Sequence, residues 1–237
     1  MELNKYIDHT NLKNTSTLKD IEKLCNEAIK YRFASVCVYP YYVRLASNLL
    51  KETNVEVCTV IGFPSGMSTK ETKVYEAIDA IEKGATEIDM VINVAALKNK
   101  DYDYIKEEIE EIRDAIDGKI LKVIIETCLL SEEEIIKMTE ICNETFVNFI
   151  KTSTGFSEYG ARVEDVELMN KHKNDVLEIK ASGGIRDIKT AEAMIKAGAT
   201  RLGTSSGVKL MECECDECHC HEGNCDCGDT CHCKEEK

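Results

Sequence analysis

The chain has 237 residues, 43% of them hydrophobic, which is enough for one large core or two small ones. Its formal net charge of −14 argues against nucleic-acid binding through phosphates, because that mode of binding requires clustered Lys and Arg. The N-terminal sequence is too polar for a signal peptide, and no apolar run approaches the roughly 20 residues of a membrane span. We therefore expect a soluble, cytoplasmic protein that binds neither nucleic acid nor membranes.

Charge and cysteine are both concentrated in a C-terminal tail, residues 212–237. The tail carries nine acidic residues against two lysines, and eight of the 13 cysteines lie between Cys213 and Cys233. The other five are scattered through apolar segments, as expected for small core residues in a reducing compartment; they are Cys25, Cys37, Cys58, Cys128 and Cys142. These differences divide the chain into a domain of residues 1–211 and the tail.

Eight short apolar runs rich in β-branched residues predict strands along the first domain. They cover residues 6–10, 34–39, 55–61, 87–92, 121–126, 147–151, 177–180 and 201–204. The first of these runs is the weakest.

The segments between these runs have helical periodicity. One predicted face is Val74, Ala77, Ile78 and Ile81, a second is Ile105, Ile109, Ile112 and Ile116, and a third is Ile135, Met138, Ile141 and Cys142. Ser131 and Glu134 have the spacing of a capping box, and Gly84 and Gly198 lie where helices end.

Strands that alternate with helices indicate a parallel sheet with right-handed crossovers. Eight such units predict a TIM (β/α)8 barrel. An open doubly wound sheet is the alternative, but the Gly-x-Gly-x-x-Gly turn after its first strand is missing.

The strands alternate an apolar face with a charged one. On the fourth strand, Ile88 and Met90 oppose Glu87 and Asp89. The apolar face suits packing against helices, so the charged face is expected to point into the barrel, where charges must be paired. The expected set is Asp89, Lys122, Glu126, Lys151, Glu178 and Lys180; a solvated sheet face is the alternative.

Lys151 and Lys180 end two consecutive predicted strands. Neighbouring strands lie about 4.8 Å apart, so the two amines can approach closely. A nearby cation and the loss of water both lower the pKa of a lysine amine, which makes it a nucleophile for carbonyl carbons. Without such surroundings, a lysine at this point is a residue of the barrel rim. Asp89 is then the expected proton acceptor or relay.

Small residues follow three predicted strands, at 152–155, 182–184 and 203–206. Their backbone N–H groups and hydroxyls can bind a phosphate, and loops after the last two strands of a TIM barrel often do so. Each turn has a plain structural interpretation when taken alone. Together they favour a phosphorylated aldehyde or ketone as substrate.

The motifs, taken in order, resemble the deoxyribose-phosphate aldolase family. They are Ile-Asp-His-Thr at 7–10, Val-Cys-Val-Tyr-Pro at 36–40, Val-Ile-Gly-Phe-Pro at 60–64, Glu-Ile-Asp-Met-Val-Ile-Asn at 87–93, Lys-Val-Ile-Ile-Glu-Thr at 122–127, Phe-Ile-Lys-Thr-Ser-Thr-Gly at 149–155, Lys-Ala-Ser-Gly-Gly at 180–184 and Gly-Thr-Ser-Ser at 203–206. The resemblance covers roughly residues 5 to 210.

The resemblance implies a class I aldolase that needs no cofactor and no metal for catalysis. It implies reversible cleavage of 2-deoxy-D-ribose 5-phosphate to D-glyceraldehyde 3-phosphate and acetaldehyde. Lys151 would form the Schiff base, and Asp89 and Lys180 would move protons. The implied substrate and phosphate contacts are Lys122, Thr154, Gly183, Gly184, Gly203, Ser205 and Ser206, with Lys122 also orienting Asp89. The resemblance makes a homodimer an expectation.

Phe156 departs from the family pattern, since some members have a lysine directly after the Thr-Ser-Thr-Gly turn. A direct phosphate contact is therefore expected to be missing or replaced.

The tail is a second departure from the family pattern. It holds four Cys-x-Cys pairs together with His219, His221 and His232, a density of ligands that suits zinc or copper. It resembles a metallothionein-type segment and is expected to be disordered without metal. A disulfide-linked tail and an extension without a role are the alternatives. A metal-binding protein built on an inactive barrel, and a Schiff-base aldolase with another substrate, are the competing functions.

Overall fold

The computed structural model describes residues 2–212, and within them eight parallel strands close into a barrel in sequence order. The strands are β1 (Ile7–Asn11), β2 (Ser35–Val38), β3 (Glu56–Ile61), β4 (Glu87–Val91), β5 (Ile120–Ile124), β6 (Phe149–Lys151), β7 (Glu178–Ser182) and β8 (Arg201–Thr204). This confirms the predicted TIM barrel, with strand ends that differ from the predicted ones by two residues or fewer.

Helices connect the strands around the outside of the barrel. They are α1 (Leu18–Tyr31), α2 (Val43–Leu50), α3 (Lys70–Glu82), α4 (Val94–Lys98), α5 (Tyr102–Ala115), α6 (Glu132–Glu144), α7 (Val163–His172), α8 (Ile188–Ala197) and α9 (Gly207–Met211). Short 3-10 turns span Leu3–Tyr6, Pro40–Tyr42 and Thr127–Leu129. Helix α9 ends at Met211, and tail residues 213–237 lie outside the described residues, so the domain boundary after residue 211 stays a prediction.

The main core lies between the barrel and its helices. Ile88 and Met90 of β4 are fully buried there, as are the predicted isoleucine face of α5 and the predicted apolar face of α6. A smaller apolar cluster is formed by Leu12, Cys37, Cys58 and Val60. Buried charged side chains, among them Asp89, Lys122 and Lys180, also lie in the barrel interior, as the alternation along β4 predicted.

The predicted face of α3 was wrong at one position. Ile78 is 40% exposed, and the buried positions of this helix are Lys73, Ala77 and Ala80. Lys73 can lie in the core because its Nζ pairs with the buried Glu108 at 2.5 Å and donates to the Val91 carbonyl at 2.8 Å. The buried face of α3 therefore differs from the one that apolar spacing predicts, because Glu108, which is distant in sequence, pairs with Lys73.

Helix ends follow the local sequence closely. The Ser131 hydroxyl accepts from the Glu134 backbone N–H, and the Glu134 side chain accepts from the Ser131 N–H, which confirms the predicted capping box. Gly198 ends α8 at φ +120°, a conformation that favours glycine. Among residues 2–212, no helix combines the length and apolar character that a membrane crossing requires.

Candidate active site

The Asp89 carboxylate lies at the centre of the barrel interior and is fully buried. Its Oδ2 accepts from Lys151 Nζ and from Lys180 Nζ, each at 2.7 Å. Its Oδ1 accepts from Lys122 Nζ at 2.9 Å and from Cys58 Sγ at 3.0 Å. Three lysines that are far apart in sequence thus converge on one carboxylate.

The strand register explains this convergence. Asp89 of β4 pairs with Lys122 of β5, and Lys151 of β6 pairs with Lys180 of β7. Paired residues on neighbouring parallel strands point to the same side of the sheet, which here is the barrel interior. The predicted juxtaposition of Lys151 and Lys180 at one height is therefore present in the structure.

A second set of charges lies beside this group. Asp8 of β1 pairs with Lys180 at 2.5 Å and with Arg201 of β8 at 2.7 Å, and Glu87 pairs with Lys122 at 2.6 Å and with Arg201 at 2.9 Å. Sequence reasoning did not include Asp8 and Arg201 in the set, because they lie at opposite ends of the chain. The closure of the barrel makes β1 and β8 neighbours.

Two members of the predicted charged set lie elsewhere. Glu178 is exposed, and one of its carboxylate oxygens accepts from the Thr200 hydroxyl at 2.8 Å. The first residue of a barrel strand lies at the N-terminal rim, where solvent solvates the carboxylate, and this corrects the expectation that it joins the lysines. Glu126 is buried but lies beyond the end of β5 at φ +55°, with the Thr154 hydroxyl and N–H as its donors at 2.5 Å and 3.2 Å.

Burial and charge pairing act in opposite directions on the pKa values of this group. Burial raises the pKa of the Asp89 carboxyl, but the ammonium groups of Lys122, Lys151 and Lys180 outweigh it and hold that pKa well below its usual value. Burial lowers the pKa of Lys180, but Asp8 and Asp89 outweigh it and raise that pKa. These contacts therefore favour a carboxylate at Asp89 and an ammonium at Lys180 in the resting site.

Two clusters of potential metal ligands occur in this interior. Cys37, Cys58 and Asp89 form one, and Asp8, Cys58 and Glu87 form the other, with ligand atoms within 4.8 Å of one another. Lys122 Nζ lies among them, 2.6 Å from Glu87, 2.9 Å from Asp89 and 3.3 Å from Cys58. Its ammonium already supplies the cation that these groups need, so they do not fit a metal ion.

A cavity of about 620 Å³ opens at the C-terminal ends of the strands. Lys151, 97% of which is buried, is the member of the lysine group that lines it. Of the predicted phosphate contacts, Thr154, Gly183, Gly184, Gly203 and Ser205 also line it. Ser206 does not, and its N–H donates to the Thr204 hydroxyl at 2.9 Å at the start of α9.

Lys122 was predicted both to contact substrate and to orient Asp89. Its side chain is fully buried, it does not line the cavity, and its Nζ donates to Glu87 and Asp89. The cavity lining therefore does not support the predicted substrate contact of Lys122, which stays a prediction, while its contact with Asp89 supports the orienting role.

The turns after β6 and β7 are joined to each other. The Ser182 hydroxyl donates to the Ser153 carbonyl at 2.5 Å, and Gly183 packs against Gly160 so closely that a Cβ on Gly160 would lie 2.2 Å from the Gly183 carbonyl. Gly183 has φ +84° and Gly184 has φ +81°. Only glycine fits this contact and adopts these angles readily, which explains the small residues of the turn.

Phe156 occupies the cavity rim, where it is 55% exposed and packs edge-on against Phe63 at 5.3 Å between ring centroids. Sequence reasoning noted that a cation is absent at this position but did not identify Arg186, which lines the cavity two residues after Gly184. The sequence does contain a signal for Arg186, since a basic residue follows closely after the Gly-Gly turn of the seventh strand.

An amine held beside a carboxylate and a second ammonium, and open to a cavity, can attack a carbonyl carbon once it is free of its proton. The fold and the site together define a barrel enzyme of the lysine-dependent aldolase class. The DeoC/LacD family aldolase model matches residues 3–212, and the chain belongs to this family.

Close relatives cover nearly the same length. The deoxyribose-phosphate aldolase of Thermoanaerobacter sp. (strain X514) is 54% identical over 215 residues, 90% of this chain and 96% of the relative. That of Clostridium tetani (strain Massachusetts / E88) is 55% identical over 213 residues, 90% of this chain and 99% of the relative. The tetrameric deoxyribose phosphate aldolase structure from Aeropyrum pernix aligns with a TM-score of 0.82 at 32% identity, covering 88% of each chain.

Proposed function

We propose that this chain is a deoxyribose-phosphate aldolase, which cleaves 2-deoxy-D-ribose 5-phosphate reversibly to D-glyceraldehyde 3-phosphate and acetaldehyde. The observation that carries the proposal is the arrangement of Lys151, Asp89 and Lys180 directly beneath a cavity rimmed by small-residue turns. Relatives that are 53% to 55% identical over about nine-tenths of the chain have this name. An inactive scaffold would not need these three charged groups in the barrel.

In the proposed reaction, Lys151 Nζ attacks the C1 aldehyde of the substrate, and loss of water forms an iminium. The amine must first lose its proton, and Asp89 Oδ2 at 2.7 Å is the nearest acceptor through which that proton can pass to water. The ammonium of Lys180, held by Asp8, donates to the same oxygen of Asp89 as Lys151 does.

The iminium then accepts the electrons of the breaking C2–C3 bond, which gives an enamine on Lys151 and releases D-glyceraldehyde 3-phosphate. We propose that water relayed through Asp89 and Lys180 takes the C3 hydroxyl proton, and that the same pair returns a proton to C2. Hydrolysis of the resulting iminium frees acetaldehyde. Because the iminium is itself the electron sink, the reaction needs no cofactor and no metal.

The turns after β7 and β8 are the proposed binding site of the substrate phosphate. Gly183, Gly184, Gly203 and Ser205 line the cavity there and offer backbone N–H groups or a hydroxyl, and Thr154 lines it from the turn after β6. Ser206 does not line the cavity, and we propose that it supports the phosphate site from its position directly before α9. Arg186 can supply the positive charge that is absent at Phe156.

The remaining proposals concern the surroundings of the enzyme. The five cysteines of the described residues are free thiols, which supports a reducing, cytoplasmic location. Residues 212–237 are proposed to be a separate tail that binds zinc or copper through cysteine and histidine. A homodimer is proposed from the family resemblance, and the tetrameric structure of a relative supports self-association.

Borohydride reduction tests the proposed function. The protein is treated with acetaldehyde or with deoxyribose 5-phosphate, reduced, digested and mapped by mass spectrometry. A two-carbon adduct on Lys151 with either compound supports the assignment. An adduct on another lysine, or no adduct with either acetaldehyde or deoxyribose 5-phosphate, would reject the proposed function. A six- or three-carbon substrate that traps better than deoxyribose 5-phosphate would indicate another Schiff-base aldolase.

A further inference from the structure

The two oxygens of the Asp89 carboxylate have different partners. Oδ2 faces Lys151 and Lys180, the two lysines of the proposed reaction. Oδ1 faces away from them and accepts from Lys122 Nζ at 2.9 Å and Cys58 Sγ at 3.0 Å. A carboxylate can rotate about its last bond, so the contacts to Oδ1 fix the plane of the carboxylate and hold its other oxygen between Lys151 and Lys180.

The Cys58 thiol is placed to donate to Asp89, while its sulfur also accepts from Lys122 Nζ at 3.3 Å. It lies on β3 with no exposed surface, and burial raises the pKa of its thiol well above the usual value, with Cys37 and Asp89 acting in the same direction. The thiol therefore keeps its proton at neutral pH, while Asp89 beside it stays a carboxylate. An S–H group next to a buried carboxylate oxygen donates to it.

The strand register places the thiol there. Cys58 of β3 pairs with Glu87 of β4, and Val60 pairs with Asp89. Cys58 therefore approaches the carboxylate from the N-terminal side of the barrel, away from the cavity, which it does not line. A group in that position can hold Asp89 without meeting substrate.

We propose that Cys58 is a positioning residue for the aldolase reaction. Its thiol, together with Lys122, fixes Oδ1 of Asp89 and so keeps Oδ2 between Lys151 and Lys180, where protons enter and leave the enamine. This inference rests on the proposed function and extends it to a residue that does not touch the substrate.

The competing explanation is packing alone. Cys58 also contacts Leu12, Cys37 and Val60 in the small apolar cluster, and a side chain of similar size could fill that space without a donor. Three variants separate the two roles. Cys58→Ser keeps a donor, while Cys58→Ala and Cys58→Val lack one, with less and more volume than cysteine. Cys142→Ala is the matched control, since Cys142 is fully buried on α6 among apolar residues.

The readout isolates proton transfer from imine formation. Acetaldehyde is incubated with each protein in D2O, and exchange of its methyl protons, which occurs through the enamine, is followed by NMR. The amount of Lys151 adduct is measured in parallel by borohydride reduction, and folding by thermal unfolding. Lys151→Arg gives the background rate of exchange.

We expect Cys58→Ala and Cys58→Val to slow methyl exchange about tenfold or more per trapped adduct, because a donor to a buried charge is lost. Cys58→Ser should stay within about threefold of the unmodified protein, since its hydroxyl can donate. Cys142→Ala should exchange at the unmodified rate. If either donor-free variant that folds matches the unmodified protein, or if Cys58→Ser is as slow as they are, the positioning role is rejected. A failure of the unmodified protein to form the Lys151 adduct is a different outcome, which rejects the proposed function and this role with it.

Discussion

Lys151 and Lys180 are register partners on neighbouring strands, and both donate to the same oxygen of Asp89 at 2.7 Å. Only Lys151 of the two lines the cavity. Two chemically identical side chains at one register position thus have different surroundings. One is open to a ligand and the other is enclosed by carboxylates.

Lys180→Met tests whether the enclosed Lys180 is needed for turnover at Lys151. We expect kcat to fall about a hundredfold or more, because the proton relay loses a member while the nucleophile remains. Steady-state cleavage of deoxyribose 5-phosphate measures it. Lys196→Met, which removes an exposed lysine from α8, is the control and should leave kcat unchanged. Near-normal turnover in Lys180→Met would contradict the proposal that Lys180 takes part in proton transfer beside Lys151.

Lys151→Arg keeps a positive charge beside Asp89 but cannot form an imine. Activity should fall by on the order of a thousandfold or more, since the covalent route is lost. Thermal unfolding should change little, because the charge balance of the buried group is kept. Borohydride trapping should give no adduct at this position. Retained activity in this variant would show that the nucleophile lies elsewhere.

Glu126 connects the end of β5 to the turn after β6. Glu126→Ala leaves the Thr154 N–H and hydroxyl without their acceptor, and each unpaired buried group costs about 1 to 3 kcal/mol. We expect a loss of at least about 1 kcal/mol in urea unfolding and a higher KM, because the turn lines the cavity. Glu192→Ala, on an exposed position of α8, is the control. Equal stability of the two variants would argue against this role of Glu126.

Acid should destabilise the protein. The pKa of Asp89 is held well below the ordinary 3.8, and that of Asp8 is also lowered, because Lys180, Arg201 and Lys122 outweigh the effect of burial. A carboxyl with a depressed folded-state pKa stabilises the fold above about pH 4 and loses that contribution as pH falls towards the folded value. Thermal unfolding between pH 7 and pH 2 should show a plateau followed by a steep decline below about pH 4. A Tm that stays constant to pH 2 would contradict this.

Arg201→Met should make that acid sensitivity stronger. It leaves Asp8 and Glu87 with less positive charge in a buried setting, at a cost of about 3 kcal/mol. The pKa of Asp8 should rise, so the decline in stability should begin at a higher pH than in the unmodified protein. The exposed Arg44→Met is the control and should follow the unmodified profile. Coincident profiles for the two variants would show that Arg201 contributes no such pairing.

Deleting residues 212–237 tests the division between barrel and tail. Aldolase activity and Tm should be retained, since α9 closes the barrel domain before the deleted segment. Native mass spectrometry after zinc addition should show bound metal on the full chain and a loss of it on the truncated chain. If the truncated protein binds as much zinc, the tail is not the metal site.

The sequence by itself determined the barrel. Alternating strand and helix patterns, the capping box at Ser131 and the glycine at Gly198 are local signals, and local backbone preferences produce them without reference to distant residues. The sequence also predicted the candidate nucleophile, because Lys151 and Lys180 end consecutive predicted strands and a parallel register brings them together.

Only the tertiary structure decided which charges meet and which side chains face the ligand. Asp8 and Arg201 pair because barrel closure joins the first strand to the last, and Glu178 stays in solvent because it begins its strand at the opposite rim. The sequence predicted Cys58 only as a small core residue, whereas in the structure its sulfur lies 3.0 Å from Asp89 Oδ1. Such contacts depend on the shear and closure of the whole sheet, which residue spacing along one strand does not contain.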